Sequence, residues 1–179
     1  MELFDLYTAE REKTGKTMVR GEATPEGFYR LVVHVCIFDD NGRMLIQQRQ
    51  PFKKGWSNLW DISVGGSAIA GDSSRSAAER ETREELGLSI DLSDERPTLT
   101  INWENGFDDY YVIKNPIDIE SLTLQYEEVQ TVKWADKEEI MVMIDDGRFI
   151  PYEKSLIELL FYRKDHRSSH TRSDWTTAG

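Results

Sequence analysis

Cysteine and histidine are scarce in this chain, and positive charge is outnumbered. The single cysteine, Cys36, excludes an internal disulfide and fits a reducing compartment. It sits in an apolar run, where a thiol behaves as a small core hydrophobe rather than a nucleophile. Lysine and arginine total 22 against 33 aspartates and glutamates, a formal charge of −11. No basic stripe is available to neutralise the phosphates of a nucleic-acid polymer, so none is expected as a partner. A small phosphorylated substrate remains compatible, because a metal ion can supply positive charge locally. No apolar stretch approaches the ~18 residues of a membrane-spanning helix, and no membrane partner is expected. The opening Met1-Glu2-Leu3-Phe4-Asp5 lacks a basic segment followed by an apolar one, so a cytoplasmic location is expected. No internal repeat is visible. Of the 3 histidines, His166 and His170 have metal-compatible spacing, but they lie in a tail of Ser, Thr, Arg and Gly and read as incidental.

The remaining pattern is that of one α/β domain over residues 1–165, with a disordered tail over 166–179. Residues 3–7 and 17–20 read as short strands around a turn at Gly15. Leu31–Phe38 is a nearly continuous β-branched and apolar run, expected as a central strand. Asp39-Asp40-Asn41-Gly42 is a hairpin turn, and 43–49 returns as a strand. Residues 60–64 form a strand entering a glycine turn. Segments 97–104 and 109–114 form a hairpin around Asn105-Gly106, and 128–134 alternates as another strand. Asp136 with Glu139 makes a capping box for a helix ending at Gly147. Pro151 is placed in the first turn of a last helix ending near Lys164.

Chemistry concentrates in residues 66–88. Gly65, Gly66 and Gly71 precede Asp72, Ser73 and Ser74, which are capping candidates for a helix of about four turns. Gly87 fits the position just past its end, with Leu88 able to close a Schellman contact. Ala78, Thr82 and Leu86 make only a thin apolar stripe. Glu81, Glu84 and Glu85 fall within one arc of roughly 100°, where bare carboxylates repel each other. A hard divalent cation relieves that repulsion and prefers such oxygen ligands. Without this clustering, Arg-Glu-Thr-Arg-Glu-Glu-Leu would read as a solvated helix face, with Arg80 and Glu84 as an i,i+4 pair.

The segment resembles the signature of the Nudix hydrolases, Gly-x5-Glu-x7-Arg-Glu-U-x-Glu-Glu-x-Gly-U, with U a bulky aliphatic. Gly66, Arg80, Glu81, Glu84, Glu85, Gly87 and Leu88 match at full spacing. Asp72 stands where the family has glutamate, and Thr82 where it has an aliphatic. Trp60-Asp61-Ile62-Ser63-Val64-Gly65-Gly66 and Phe4-Asp5-Leu6-Tyr7 look like the subgroup related to isopentenyl diphosphate isomerase. The resemblance implies an α/β/α sandwich with a mixed sheet, and a hydrolase that cleaves a phosphoanhydride in a small (nucleoside) diphosphate-containing compound with Mg²⁺ or Mn²⁺. By position, Glu84 and Glu85 would bind the ion, Glu81 would bind it or act as base, Arg80 would orient Glu81, and a carbonyl at Gly65 or Gly66 would complete the coordination. A later glutamate often takes part, and Glu128 is the candidate, with Glu127 second. Arg49, Lys53 and Lys54 are candidates to clamp a diphosphate, and Trp56 or Trp103 to stack on a base. A homodimer is left open. Two rivals are an isomerase and a non-catalytic nucleotide-binding module. The isomerase carries a catalytic cysteine before the box glycine and a metal-binding histidine after it, and this chain has Gly65 and Ser67 there.

Overall fold

The computed structural model describes residues 2–169; the expectations for residues 170–179, His170 among them, lie outside the described residues. Strands β1 (Leu3–Tyr7) and β2 (Lys13–Val19) form a separate hairpin. Strands β3 (Arg30–Phe38), β4 (Met44–Arg49), β5 (Trp60–Asp61), β6 (Val64–Ser67), β7 (Leu99–Trp103), β8 (Gly106–Lys114) and β9 (Val129–Ala135) form a seven-stranded mixed sheet. Helix α1 (Ser74–Leu86) precedes β7, and α2 (Lys137–Asp145) and α3 (Lys154–Arg163) follow β9.

The alternation of β3 sets the layers. Leu31, Val33, Val35 and Ile37 pack with Ala77, Ala78 and Leu86 of α1. Cys36 and Phe38 face the other way, onto Ile140 and Met143 of α2 and Ile157, Leu160 and Phe161 of α3. From Val35 to Phe38 the strand is buried on both faces and has no polar side, which is why its sequence is continuously apolar there. Cys36 is fully buried, and burial drives its thiol pKa far up, consistent with a core residue.

The turn after β3 forms at Asp39–Gly42, but β4 is barely paired with β3. Only Phe38 and Met44 are partners; β4 then diverges to pair with β9 and β5, while β6 runs antiparallel to β3 from Val32 to Val35. Buried Ser63 bridges the fork, accepting from the Ile37 N–H and donating to the Leu45 carbonyl. On its other side β3 pairs in parallel with β8 along its whole length.

Several local expectations shift. The β1–β2 turn lies at Thr8–Glu12 with Arg11 at φ 66°, and Gly15, at φ 77°, lies within β2 at a register shift. Arg11 thereby reaches Asp109, whose fully buried carboxylate also accepts from Ser74 and Thr100. These donors let β8 begin at Gly106 and run through two aspartates that obscure it in the sequence. In α2, Asp136 caps the Glu139 N–H at 2.8 Å, but Glu139 reaches back to Lys133, so only half of the capping box forms. Pro151 precedes α3, which starts at Lys154 without a side-chain cap. Beyond α3, Arg163 donates to the carbonyls of Arg167 and Ser168. No helix among the described residues is long and apolar enough to cross a membrane.

Candidate active site

Helix α1 is locked at both ends. Ser73 is the N-cap and forms a reciprocal capping box with Ser76. Gly87 closes the other end at φ 65° with its N–H on the Arg83 carbonyl, a single αL-type bond in place of the expected Schellman pair. Thr82 fits the inward stripe because its hydroxyl donates to the Ala78 carbonyl at 2.7 Å. Asp72 is not the cap: its carboxylate accepts from Arg80 Nε at 3.1 Å and Nη2 at 2.9 Å. The shorter aspartate thus serves as the anchor of an arginine.

Arg80 is the hub. Its Nη1 donates to Glu81 Oε1 at 2.9 Å and to Glu84 Oε2 at 3.1 Å, and its Nη2 reaches the Ser67 carbonyl at 3.2 Å. Burial works against its charge, but Asp72 and Glu81 outweigh it and raise the guanidinium pKa. Gly66 explains the proximity of strand and helix: a Cβ there would stand 2.2 Å from Glu81 Cδ and 2.4 and 2.6 Å from its oxygens.

These residues wall a cleft of about 610 Å³ at the fork between β3–β6 and β4. Glu81, Glu84, Glu85, Arg80, Gly66, Glu128, Arg49 and Lys53 all line it. Burial raises the Glu81 pKa against the opposing pull of Arg80. Glu85, expected as a ligand of the ion, is only 4 % exposed and receives one donor, Gln47 Nε2, at 2.9 Å. Burial pushes its carboxyl up to about 8, with Glu81, Glu128 and Asp61 adding repulsion. Gln47 Oε1 beside it is buried without a partner. This corner holds more acceptor oxygens than donors, and that donor set suits a hard divalent cation. Among the described residues no group of three such side chains is already gathered in ligating geometry, Glu81 and Glu84 being held by Arg80.

Across the cleft, Lys53 Nζ lies 2.5 Å from both oxygens of Glu128. Arg49 donates to the Gly55 carbonyl and sits 3.7 Å from Asp61. Lys54 and Glu127 are exposed and do not line the cleft. Trp56 stands at the rim, 53 % exposed. Trp103 is away from it, with its indole N–H on Asp108. Sequence reasoning missed His34, Asp61, Gln47 and Tyr152. Asp61 is buried, its pKa raised by that burial although the Tyr152 hydroxyl donates to it at 2.8 Å. Each comes from a different element, so no local spacing announces them. A larger hollow of about 900 Å³, toward the C-terminal end of β8, contains none of the box carboxylates.

Three glutamates on a helix, two of them tied by one arginine, facing a glycine strand in an α/β/α sandwich, define a Nudix-type site. The NUDIX domain family model matches residues 28–160. The chain is 47 % identical over 170 residues to an uncharacterised Nudix hydrolase of Listeria innocua, covering 95 % of this chain and 99 % of that one. It is 36 % identical over 76 residues to an isopentenyl-diphosphate Δ-isomerase of Leifsonia xyli, covering 42 % and 40 % of the two chains. The crystal structure of a Deinococcus radiodurans protein superposes with a TM-score of 0.70 at 25 % identity, covering 89 % and 97 %. The chain belongs to the Nudix family and is a Nudix hydrolase.

Proposed function

We propose that the cleft hydrolyses a phosphoanhydride in a small diphosphate-containing substrate, with Mg²⁺ or Mn²⁺ held by Glu84, Glu85 and the Gly66 carbonyl and with Glu81 as the base. The observation that carries this reading is Glu85, a carboxyl buried in the cleft wall with one donor and its pKa pushed up to about 8. A divalent ion there would neutralise charge on the phosphate oxygens and lower the pKa of the attacking water.

The chain's own residues do the rest. Arg80 occupies Glu81 Oε1 and leaves Oε2 without a hydrogen bond, packed over Gly66. That oxygen accepts the water proton, and burial, by raising its proton affinity, makes it a better base. Asp72 keeps Arg80 in place and so fixes the direction of Glu81. Glu128 has both oxygens engaged by Lys53, so Glu81 is favoured over it as base. Lys53 and Arg49 face the cleft opposite the glutamates, where a diphosphate can draw them to its oxygens.

The test is a panel of nucleoside diphosphates, nucleotide sugars, coenzyme diphosphates and isoprenoid diphosphates with Mg²⁺ and Mn²⁺. Phosphate release is read with and without added phosphatase, which separates terminal from internal cleavage. At least one compound should be hydrolysed by the native protein, and turnover should fall by ~10²-fold or more in Glu81→Gln. Equal turnover in the variant would remove Glu81 as base.

A further inference from the structure

Arg30 is an anomaly in this acidic protein. It sits at the start of β3, and its guanidinium lies between two rings, 5.9 Å from the Phe4 centroid and 5.4 Å from that of Trp103. Its Nε is buried with no partner, and its side chain makes no hydrogen bond or ion pair with any described residue. By contrast Arg11, Arg20, Arg43, Arg80 and Arg148 each hold a carboxylate. A partly desolvated guanidinium is ordinarily paired. Asp108, on the neighbouring strand, gives Oδ1 to the Trp103 indole at 2.8 Å, its Oδ2 lies 3.5 Å from His34 Nε2 without a hydrogen bond, and it acts on Arg30 through its charge without contacting it.

The shelf beneath Arg30 is built. Gly106 has no room for a side chain, since a Cβ would stand 2.5 Å from Trp103 Cζ2 and from the Arg30 carbonyl oxygen. Trp103 therefore packs over Gly106 with its indole N–H on Asp108, and the Arg30 guanidinium lies 5.4 Å from its ring centroid. Holding the fork in advance lowers the entropy lost when it binds an oxyanion. Strand alternation places Arg30 on the same face as Val32 and His34, which line the cleft, and about 7 Å beyond Val32 along the strand.

We propose that Arg30 binds a second phosphate of the substrate, carried on the moiety remote from the cleaved diphosphate. This assignment rests on the hydrolase reading for its substrate class, and it names what that substrate must carry. The guanidinium presents parallel N–H groups that match a phosphate bidentately, and no carboxylate among the described residues forms an ion pair with it.

The test uses pairs of diphosphate compounds that differ by one distal phosphate: NADPH with NADH, and coenzyme A with 3′-dephospho-coenzyme A. Steady-state hydrolysis with Mg²⁺ and calorimetric binding without divalent ions are measured on the native protein, Arg30→Met and Arg30→Lys. Within at least one pair the native protein should favour the phosphorylated member by roughly tenfold, in KM and in Kd rather than in kcat. Arg30→Met should bring that ratio to about one, and Arg30→Lys, which keeps charge but not the fork, should leave an intermediate ratio. No preference by the native protein in either readout overturns the proposal, as does a preference that survives in Arg30→Met. Discrimination in binding, with turnover neither of these pairs nor of any compound in the hydrolysis panel, would unseat the proposed reaction and leave Arg30 as the phosphate site. Turnover without discrimination would do the reverse.

Discussion

Replacing Glu85 by glutamine tests whether this carboxyl is a buried charge awaiting a cation. Its pKa rises from 4.5 to about 8 on folding, because burial disfavours the carboxylate. Below pH ~4.5 the group is protonated in both states and costs nothing. Above that, the unfolded chain releases the proton while the folded protein keeps it. Stability therefore falls as pH rises, and the loss levels off above about 8. At about 1.4 kcal/mol per pKa unit, the loss between pH 5 and 8 is roughly 3–4 kcal/mol. Water penetration could halve it, to about 2 kcal/mol, which for a domain of this size is a melting shift of about 4–8 °C. Glutamine keeps the shape and still accepts from Gln47, but it has no charge to bury. In EDTA, urea unfolding of the native protein and Glu85→Gln should agree near pH 5 and diverge toward pH 8, with the variant the more stable. Parallel profiles across that range would refute the buried-charge argument. Added Mg²⁺ at ten times its Kd should recover about 1.4 kcal/mol in the native protein and little in the variant.

Gly66→Ala places a methyl 2.2 Å from Glu81 Cδ, and the end of that side chain can swing away cheaply. Its melting temperature should stay within a few degrees while turnover falls by ~10²-fold; a fully active variant would show that the position of Glu81 is immaterial. Isopentenyl diphosphate supplied with any divalent ion should give no dimethylallyl isomer, because Gly65 cannot transfer a proton, and product above background by mass spectrometry would overturn the reaction class.

Local signals carried much of the fold. The hydrophobic run at 31–38, the alternation at 128–134 and the glycine after Leu86 each depend on short-range physics, and strands at Arg30–Phe38 and Val129–Ala135 and a helix end at Leu86 appear within a residue of them. Gly15 and Pro151 misled because both are tolerated in more than one setting: the first sits at a bulge, the second before a helix that starts later. The divergence of β4 from β3 was hidden, since the turn at Asp39–Gly42 looks the same whether or not the strands stay together. For the site, the spacing of Glu81, Glu84 and Glu85 is a helical regularity and was legible. The loop cations were not resolved by spacing: Lys53 enters the cleft while its neighbour Lys54 does not.

By itself the sequence determined the helix with its caps, the three glutamates on one arc, the absence of a cysteine at Gly65, and the family to which these belong. Those features are set by neighbours within a few turns, where propensity and periodicity act directly. Only the tertiary structure decided that Asp72 anchors Arg80 rather than the helix, that Glu85 is buried on Gln47 from β4, and that Lys53 pairs with Glu128. It alone decided that Arg30 lies unpaired between Phe4 and Trp103. Such contacts join residues tens of positions apart, and which groups then lose water, and which partner is left to compensate them, is settled by packing.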